Sequence, residues 1–153
     1  YPGGPEISKR SELSNNNKFI FPRPMIKSND YNFSFSGLKT HVINTIHKLE
    51  LTNEHINNIS YEVQSAIVDT LISKSVEASK NLGIKNIVIT GGVSANQKLR
   101  KDFSCIKECK AYFPDVKFST DNGAMIAYAG FLKTNSSDFK KNFTIKPEPS
   151  LTL

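Results

Sequence analysis

Lys85-Asn86-Ile87-Val88-Ile89-Thr90-Gly91-Gly92-Val93-Ser94-Ala95-Asn96 is the stretch that decides the fold class. Its first six residues form a short β-branched run, which predicts a buried strand. Two glycines follow at once. Ser94 and Gln97 then match the S-x-x-Q capping box that opens a helix, with Leu99, Phe103 and Ile106 as its apolar stripe. Upstream, Val63, Ile67 and Leu71 make one helical stripe and Val68, Ile72 and Val76 a second, in a helix running to about Lys80 and stopping near Gly83. Leu38, Val42, Ile46 and Leu49 predict another helix, with Asn53 to Ser60 as a polar connection. Tyr31 to Ser36 alternates with period two and predicts a half-buried strand. Downstream, Ala111-Tyr112-Phe113 and Val116-Lys117-Phe118 are candidate strand pieces around Pro114, and Ala124 to Phe131 reads as a helix rich in small residues. Strands alternating with helices predict an α/β fold with a partly parallel, mixed sheet flanked by helices.

The ends are different. Residues 1–30 predict an irregular opening segment, because Tyr1-Pro2-Gly3-Gly4-Pro5 is turn chemistry, Ser14-Asn15-Asn16-Asn17 is loop-like and Phe21-Pro22-Arg23-Pro24 fits neither a helix interior nor a central strand. Residues 134–153 read as a polar tail. A chain of 153 residues can bury roughly 70% of its unfolded surface, enough for one ordinary domain without staples. No apolar run approaches the ~20 residues that cross a bilayer, and no signal-peptide pattern opens the chain. A cytoplasmic location is therefore expected, with an organellar matrix as the variant. Cys105 and Cys109 stand four apart, which is not a CxxC pair, and are expected to be packing thiols. The 20 basic and 14 acidic residues leave a net charge of +6, which favours a polyanionic partner or simply solubility.

Two places offer chemistry. Gly91 and Gly92 end a strand and start a helix, where a ligand can approach the backbone closely and free N–H groups attract anions. Asn96 follows in the first turn, within reach of a bound base or ribose; an ordinary strand–helix corner is the competing reading. The second place is Thr120-Asp121-Asn122-Gly123. Asp121 either caps the next helix or presents a metal- or phosphate-site carboxylate at a strand end, where α/β folds put ligands. Ser36-Gly37-Leu38-Lys39-Thr40 imitates a Walker A loop without its spacing. His41, His47 and His55 do not pair at ligand spacing and are expected at the surface or half-buried. Lys98, Arg100, Lys101, Lys107 and Lys110 are either phosphate contacts or a solvated face.

Four segments, taken in order and spacing, carry a resemblance: Tyr1-Pro2-Gly3-Gly4-Pro5; Phe21-Pro22-Arg23-Pro24-Met25 with Phe33-Ser34-Phe35-Ser36-Gly37-Leu38-Lys39-Thr40; Gly91-Gly92-Val93-Ser94-Ala95-Asn96 with Leu99-Arg100; and Thr120-Asp121-Asn122-Gly123-Ala124-Met125-Ile126-Ala127. Together they resemble the tRNA N6-adenosine threonylcarbamoyltransferases, the TsaD family once described as O-sialoglycoprotein endopeptidases. The resemblance covers residues 1–133 and only the C-terminal half of that family's chain.

The resemblance implies an actin/Hsp70/sugar-kinase ATPase-like (ribonuclease H-like) fold, of which residues 1–133 would be the C-terminal lobe. It implies transfer of threonylcarbamoyl from threonylcarbamoyl-AMP to N6 of the adenosine 3′ of the anticodon, in tRNAs reading codons that start with A. It implies that Gly4 and Asn96 contact the adenylate, that Gly91 and Gly92 shape the pocket, and that Asp121 ligates a divalent iron or zinc ion. The family's paired histidines, in an H-x-x-x-H helix, belong to an N-terminal lobe that this sequence does not contain, so the chain alone is expected to be inactive. The implied partners are that lobe, tRNA, and TsaB-like and TsaE-like accessory proteins in bacteria. A non-catalytic scaffold of the same fold and a small-molecule kinase-type relative are the alternatives.

Overall fold

The computed structural model describes residues 2–14 and 18–134; Tyr1, the Asn15-Asn16-Asn17 run and the 135–153 tail lie outside the described residues. The order of elements is α1 (Gly3–Glu12), α2 (Ser36–Ile46), α3 (Asn53–Leu82), β1 (Asn86–Val88), α4 (Gln97–Ser104), β2 (Lys110–Tyr112) and α5 (Gly123–Thr134).

The spine is α3, 30 residues long and thus about 45 Å from end to end. Thr52 starts it, its hydroxyl accepting from His55 N at 3.2 Å. Gly83 stops it in the left-handed region, φ 66°, where a side chain would be strained. The polar run Asn53 to Ser60, expected as a connection, is the first two turns of this helix. Its polarity hides the fact that Ile59 is buried in the core.

Two further expectations are corrected near the N-terminus. The Pro-Gly-Gly-Pro segment is the first turn of α1, not an irregular stretch. Proline is tolerated there because first-turn N–H groups have no helical partner to lose. Glu6 and Arg10 then pair one turn apart at 3.0 Å, and α1 lies along α3. Tyr31 to Ser36 does not form a strand. No described strand lies beside it, so Tyr31 and Phe33 stay exposed while Phe35 turns into the core.

The sheet contains two parallel strands, pairing Asn86 with Lys110, Ile87 with Ala111 and Val88 with Tyr112, and α4 makes the crossover between them. This β-α-β unit fits an α/β fold in a helix-rich chain. The strand expected to be buried has one open face, with Val88 70% exposed. Val116 to Phe118, expected as strand, is a single 3-10 turn.

Hydrophobic packing divides along α3. One cluster joins Phe21, Leu38, Ile59 and Ala66, with Val42, Ile46, Val63 and Ile67 against it. The other joins Val68, Leu99, Phe103 and Cys109, with Leu71, Ile72, Val76, Ile87 and Ile89 around it. The stripe Val68, Ile72 and Val76 packs wholly in the second cluster, whereas the stripe Val63, Ile67 and Leu71 is divided, Val63 and Ile67 in the first and Leu71 in the second. Cys109 packs as expected, whereas Cys105, also expected to pack, is exposed; both are free thiols.

Polar side chains of α3 fasten the irregular segment between α1 and α2. Glu62, 2% exposed, accepts from Phe21 N and from the Arg23 guanidinium. Arg23 also reaches Asp69 at 2.8 Å. Burial works to lower the Arg23 pKa, but the hydrogen bonds and charges of Asp69 and Glu62 outweigh it and hold it above its ordinary value. Lys74, 1% exposed, donates to Met25 O, Ser28 Oγ and Asp30 O at 3.0, 2.7 and 2.8 Å. The Asp30 carboxyl sits below its ordinary range, mainly through the hydrogen bond from Asn32 N, with Ser28 and Lys74 adding to it. Phe21-Pro22-Arg23-Pro24 is thus irregular, as its prolines require, yet fixed.

Candidate functional site

The start of α4 carries three of the expected site residues, Gly91, Gly92 and Asn96. Gly91 has φ 84°, a conformation only glycine adopts without strain, and it turns the chain out of β1. A 3-10 turn, Gly92–Ala95, follows, and α4 begins at Gln97. The cap is Asn96: its Oδ1 accepts from Leu99 N at 2.9 Å. Ser94, expected as the capping residue, is instead fully buried inside the 3-10 turn, and its hydroxyl has no hydrogen-bond partner.

The rest of the Asn96 amide binds the site to α1 and α3. Its Nδ2 donates to Gln64 Oε1 at 2.8 Å and to Ser8 Oγ at 3.2 Å. Ser8 Oγ donates to the same Gln64 oxygen at 2.7 Å, and Gln64 Nε2 donates to Ser11 Oγ at 2.8 Å. Gly4 lies one turn before Ser8 and therefore on the same face of α1. Gly4, Asn96 and the glycine turn are thereby brought to one neighbourhood. A side chain could be added at Gly4 or Gly92 without meeting any atom within 4 Å. The chain's own packing does not demand glycine at either position.

Asp121 precedes α5. The cap of α5 is not Asp121 but Asn122, whose Oδ1 accepts from Met125 N at 3.0 Å and whose Nδ2 donates to Thr120 O at 2.8 Å. The Asp121 carboxylate is exposed and makes no hydrogen bond or ion pair within the described residues. Its loop is tied to the glycine turn by Arg100. The Arg100 Nε donates to Ser94 O at 2.6 Å, and Nη2 donates to Pro114 O at 2.6 Å and to Ser119 Oγ at 3.4 Å. The sequence placed Arg100 in a basic cluster with four lysines. The structure turns it inward, and pairs Lys98 with Asp102 at 2.7 Å. Nothing in the residue pattern separates Arg100 from its lysine neighbours, except that a guanidinium can serve two carbonyls at once and an ammonium is less suited to it.

Residues 1–128 match the family TsaD, tRNA N6-adenosine threonylcarbamoyltransferase. The chain belongs to the TsaD family. Proteins named tRNA N6-adenosine threonylcarbamoyltransferase are 44% identical in Thermosipho africanus (strain TCF52B) and 43% identical in Herminiimonas arsenicoxydans, each alignment taking in 100% of this chain and 47% of the relative. One from Buchnera aphidicola subsp. Cinara cedri (strain Cc) is 43% identical over 96% of this chain and 44% of its own length. The TsaD chain described by the structure thus spans about half the length of the curated relatives it matches.

No three His, Cys, Asp or Glu side chains converge on a possible metal position among the described residues. A catalytic transition-metal site usually takes about three protein ligands. The side chains present do not fit an iron or zinc ion by themselves; Asp121 offers at most one ligand. His41 and His47 are exposed and His55 is half-buried, within the surface or half-buried positions expected. His41 sits edge-on to the Phe21 ring at 5.4 Å and His55 Nδ1 lies 3.0 Å from Glu50 O. No helix among the described residues is long and apolar enough to cross a membrane.

Proposed function

We propose that this TsaD chain is the C-terminal lobe, residues 1–133, of a two-lobed tRNA N6-adenosine threonylcarbamoyltransferase of the actin/Hsp70/sugar-kinase ATPase-like fold, acting in the cytoplasm. The observation that carries the reading is the uncommitted Asp121 carboxylate, left free by Asn122 and held on a loop that Arg100 ties to the glycine turn. Family membership, shared with relatives about twice as long, supports the two-lobed form. So does the open sheet. A parallel sheet normally has both faces covered and more than two strands, whereas Val88 and Tyr112 are exposed here. The apolar α5 is also uncovered, with Met125, Ile126, Tyr128, Phe131 and Leu132 all exposed. An N-terminal half would cover these surfaces.

In this reading threonylcarbamoyl-AMP lies against the backbone at Gly4, Gly91 and Gly92. Asn96 fixes the turn that carries the last two, and the first N–H groups of α4 face the phosphate. The N6 amine of the tRNA adenosine attacks the carbamoyl carbon. A C–N bond forms, the C–O bond to the adenylate phosphate breaks, AMP leaves with the electron pair, and N6 loses a proton. No seryl or cysteinyl nucleophile is assigned. Asp121 faces the reacting group, and imidazoles of the other half would have to join it to hold a divalent ion. Exposed lysines such as Lys101, Lys107 and Lys110 hold tRNA phosphates, each contact steepening the salt dependence by about 0.7–0.9. TsaB-like and TsaE-like proteins would assist in a bacterium.

The test is transfer to an unmodified tRNA whose anticodon reads an A-starting codon. The chain is combined with the N-terminal half of a full-length relative and supplied with threonylcarbamoyl-AMP. Modified nucleoside, measured by mass spectrometry of digested tRNA, should appear only with both halves present. Gly92→Val should fold normally, since its Cβ meets open space, and lose at least about tenfold in adenylate affinity. A stable two-half complex that modifies no tRNA, but binds partner proteins, would favour the scaffold reading instead.

A further inference from the structure

We infer that Arg100 is a positioning residue that sets the spacing between the glycine turn and the loop carrying Asp121. The functional half of this inference rests on the transferase reading; the structural half does not.

Arg100 stands one helical turn after Asn96, and its planar fork is directed into the protein rather than to solvent. One edge of the fork addresses Ser94 O, inside the Gly92–Ala95 turn. The other addresses Pro114 O and Ser119 Oγ, on the loop between β2 and α5. Its carbon centre lies 5.0 Å from the centre of the Phe113 ring, which supports the guanidinium face by cation–π attraction. Ser94 and Ser119 are both buried, 0% and 2% exposed, so the two anchor points are solid. Ser119 is two residues from Asp121, and two trans peptide units span at most about 7 Å. Asp121 has no side-chain partner of its own, so its position depends on that loop. Charge-assisted bonds to two carbonyls from separate segments suit Arg and not Lys, whose ammonium sits on a single point. Lys98 and Lys101, on the same helix, make no such bridge: Lys98 pairs with Asp102.

Amide hydrogen exchange on the 153-residue chain tests the bridge without substrate. Ser94, Asn96, Phe118 and Ser119 have hydrogen-bonded amides that report on the two segments. Arg100→Gln should raise exchange at least tenfold in both segments together and leave α1 and α2 unchanged. Arg100→Lys, which keeps charge and stem, should loosen at least one of them and serves as the deciding variant should Arg100→Gln fail to fold. Wild-type exchange of the 115–121 segment in a folded variant refutes the bridge. The second arm uses the two-half protein. Arg100→Lys should lower kcat for tRNA modification at least tenfold and leave the KM for tRNA within twofold, because misplacement by about 1 Å is costly in rate. Unchanged kcat overturns the positioning role. A wild-type pair that makes no modified tRNA overturns the transferase reading, while the exchange arm still decides the bridge.

Discussion

Asp121→Ala is expected to cut threonylcarbamoyl transfer by at least about 100-fold in the protein that combines this TsaD chain with an N-terminal half. That is the size of loss seen when a group acting on developing charge is removed. The same substitution should leave folding stability within about 0.5 kcal/mol, since it lies at an exposed position away from caps and cores. The pair of results is what matters. A capping aspartate would behave oppositely, costing about 1 kcal/mol of helix stability, and the structure assigns that duty to Asn122. Asn122→Ala is the control: it should lower stability by about 1 kcal/mol as a lost cap. Transfer is measured by nucleoside mass spectrometry and stability by urea unfolding. Normal transfer by Asp121→Ala would remove Asp121 from the site.

Glu62→Leu is expected to cost the chain about 1–3 kcal/mol, because it removes the buried one of the two carboxylates paired with Arg23, which keeps Asp69. It also removes the acceptor for Phe21 N. The variant should unfold at clearly lower urea than the wild type. The double variant Arg23→Met with Glu62→Leu should recover part of the loss, since removing both charges of a pair is cheaper than removing one, while Phe21 N still lacks its acceptor. If Glu62→Leu alone unfolds at the wild-type urea midpoint, the fastening of the Phe21–Asp30 segment to α3 is not what holds it.

Much of this was legible from the residues, and what was not has physical causes. The stripes of α3 were clear because 30 residues of helix repeat the signal many times, and Gly83 marked its end because a left-handed stop favours glycine. The first two turns of α3 were missed because Asn and Ser dominate them, and polarity says nothing about whether Thr52 caps a helix upstream. Proline and glycine at positions 2–5 spoke for a turn, yet the first turn of a helix accepts both. Tyr31 to Ser36 had strand periodicity without a neighbouring strand, and pairing is a tertiary fact. In the site, the caps read from the sequence were Ser94 and Asp121, whereas the structure uses Asn96 and Asn122; only backbone geometry chooses between residues one or two places apart. That choice has consequences, since it commits both asparagines and leaves the Asp121 carboxylate free. Arg100 was hidden among lysines, because a residue pattern does not show which cation turns inward.

The most direct test is a nuclear magnetic resonance titration of the two-half protein, with only this chain labelled, using threonylcarbamoyl-AMP. Resonances of Gly4, Gly91, Gly92, Asn96 and Asp121 should move together, with one dissociation constant. Shifts at the glycines with none at Asp121, or a separate affinity there, would mean that the turn and the carboxylate do not share a pocket.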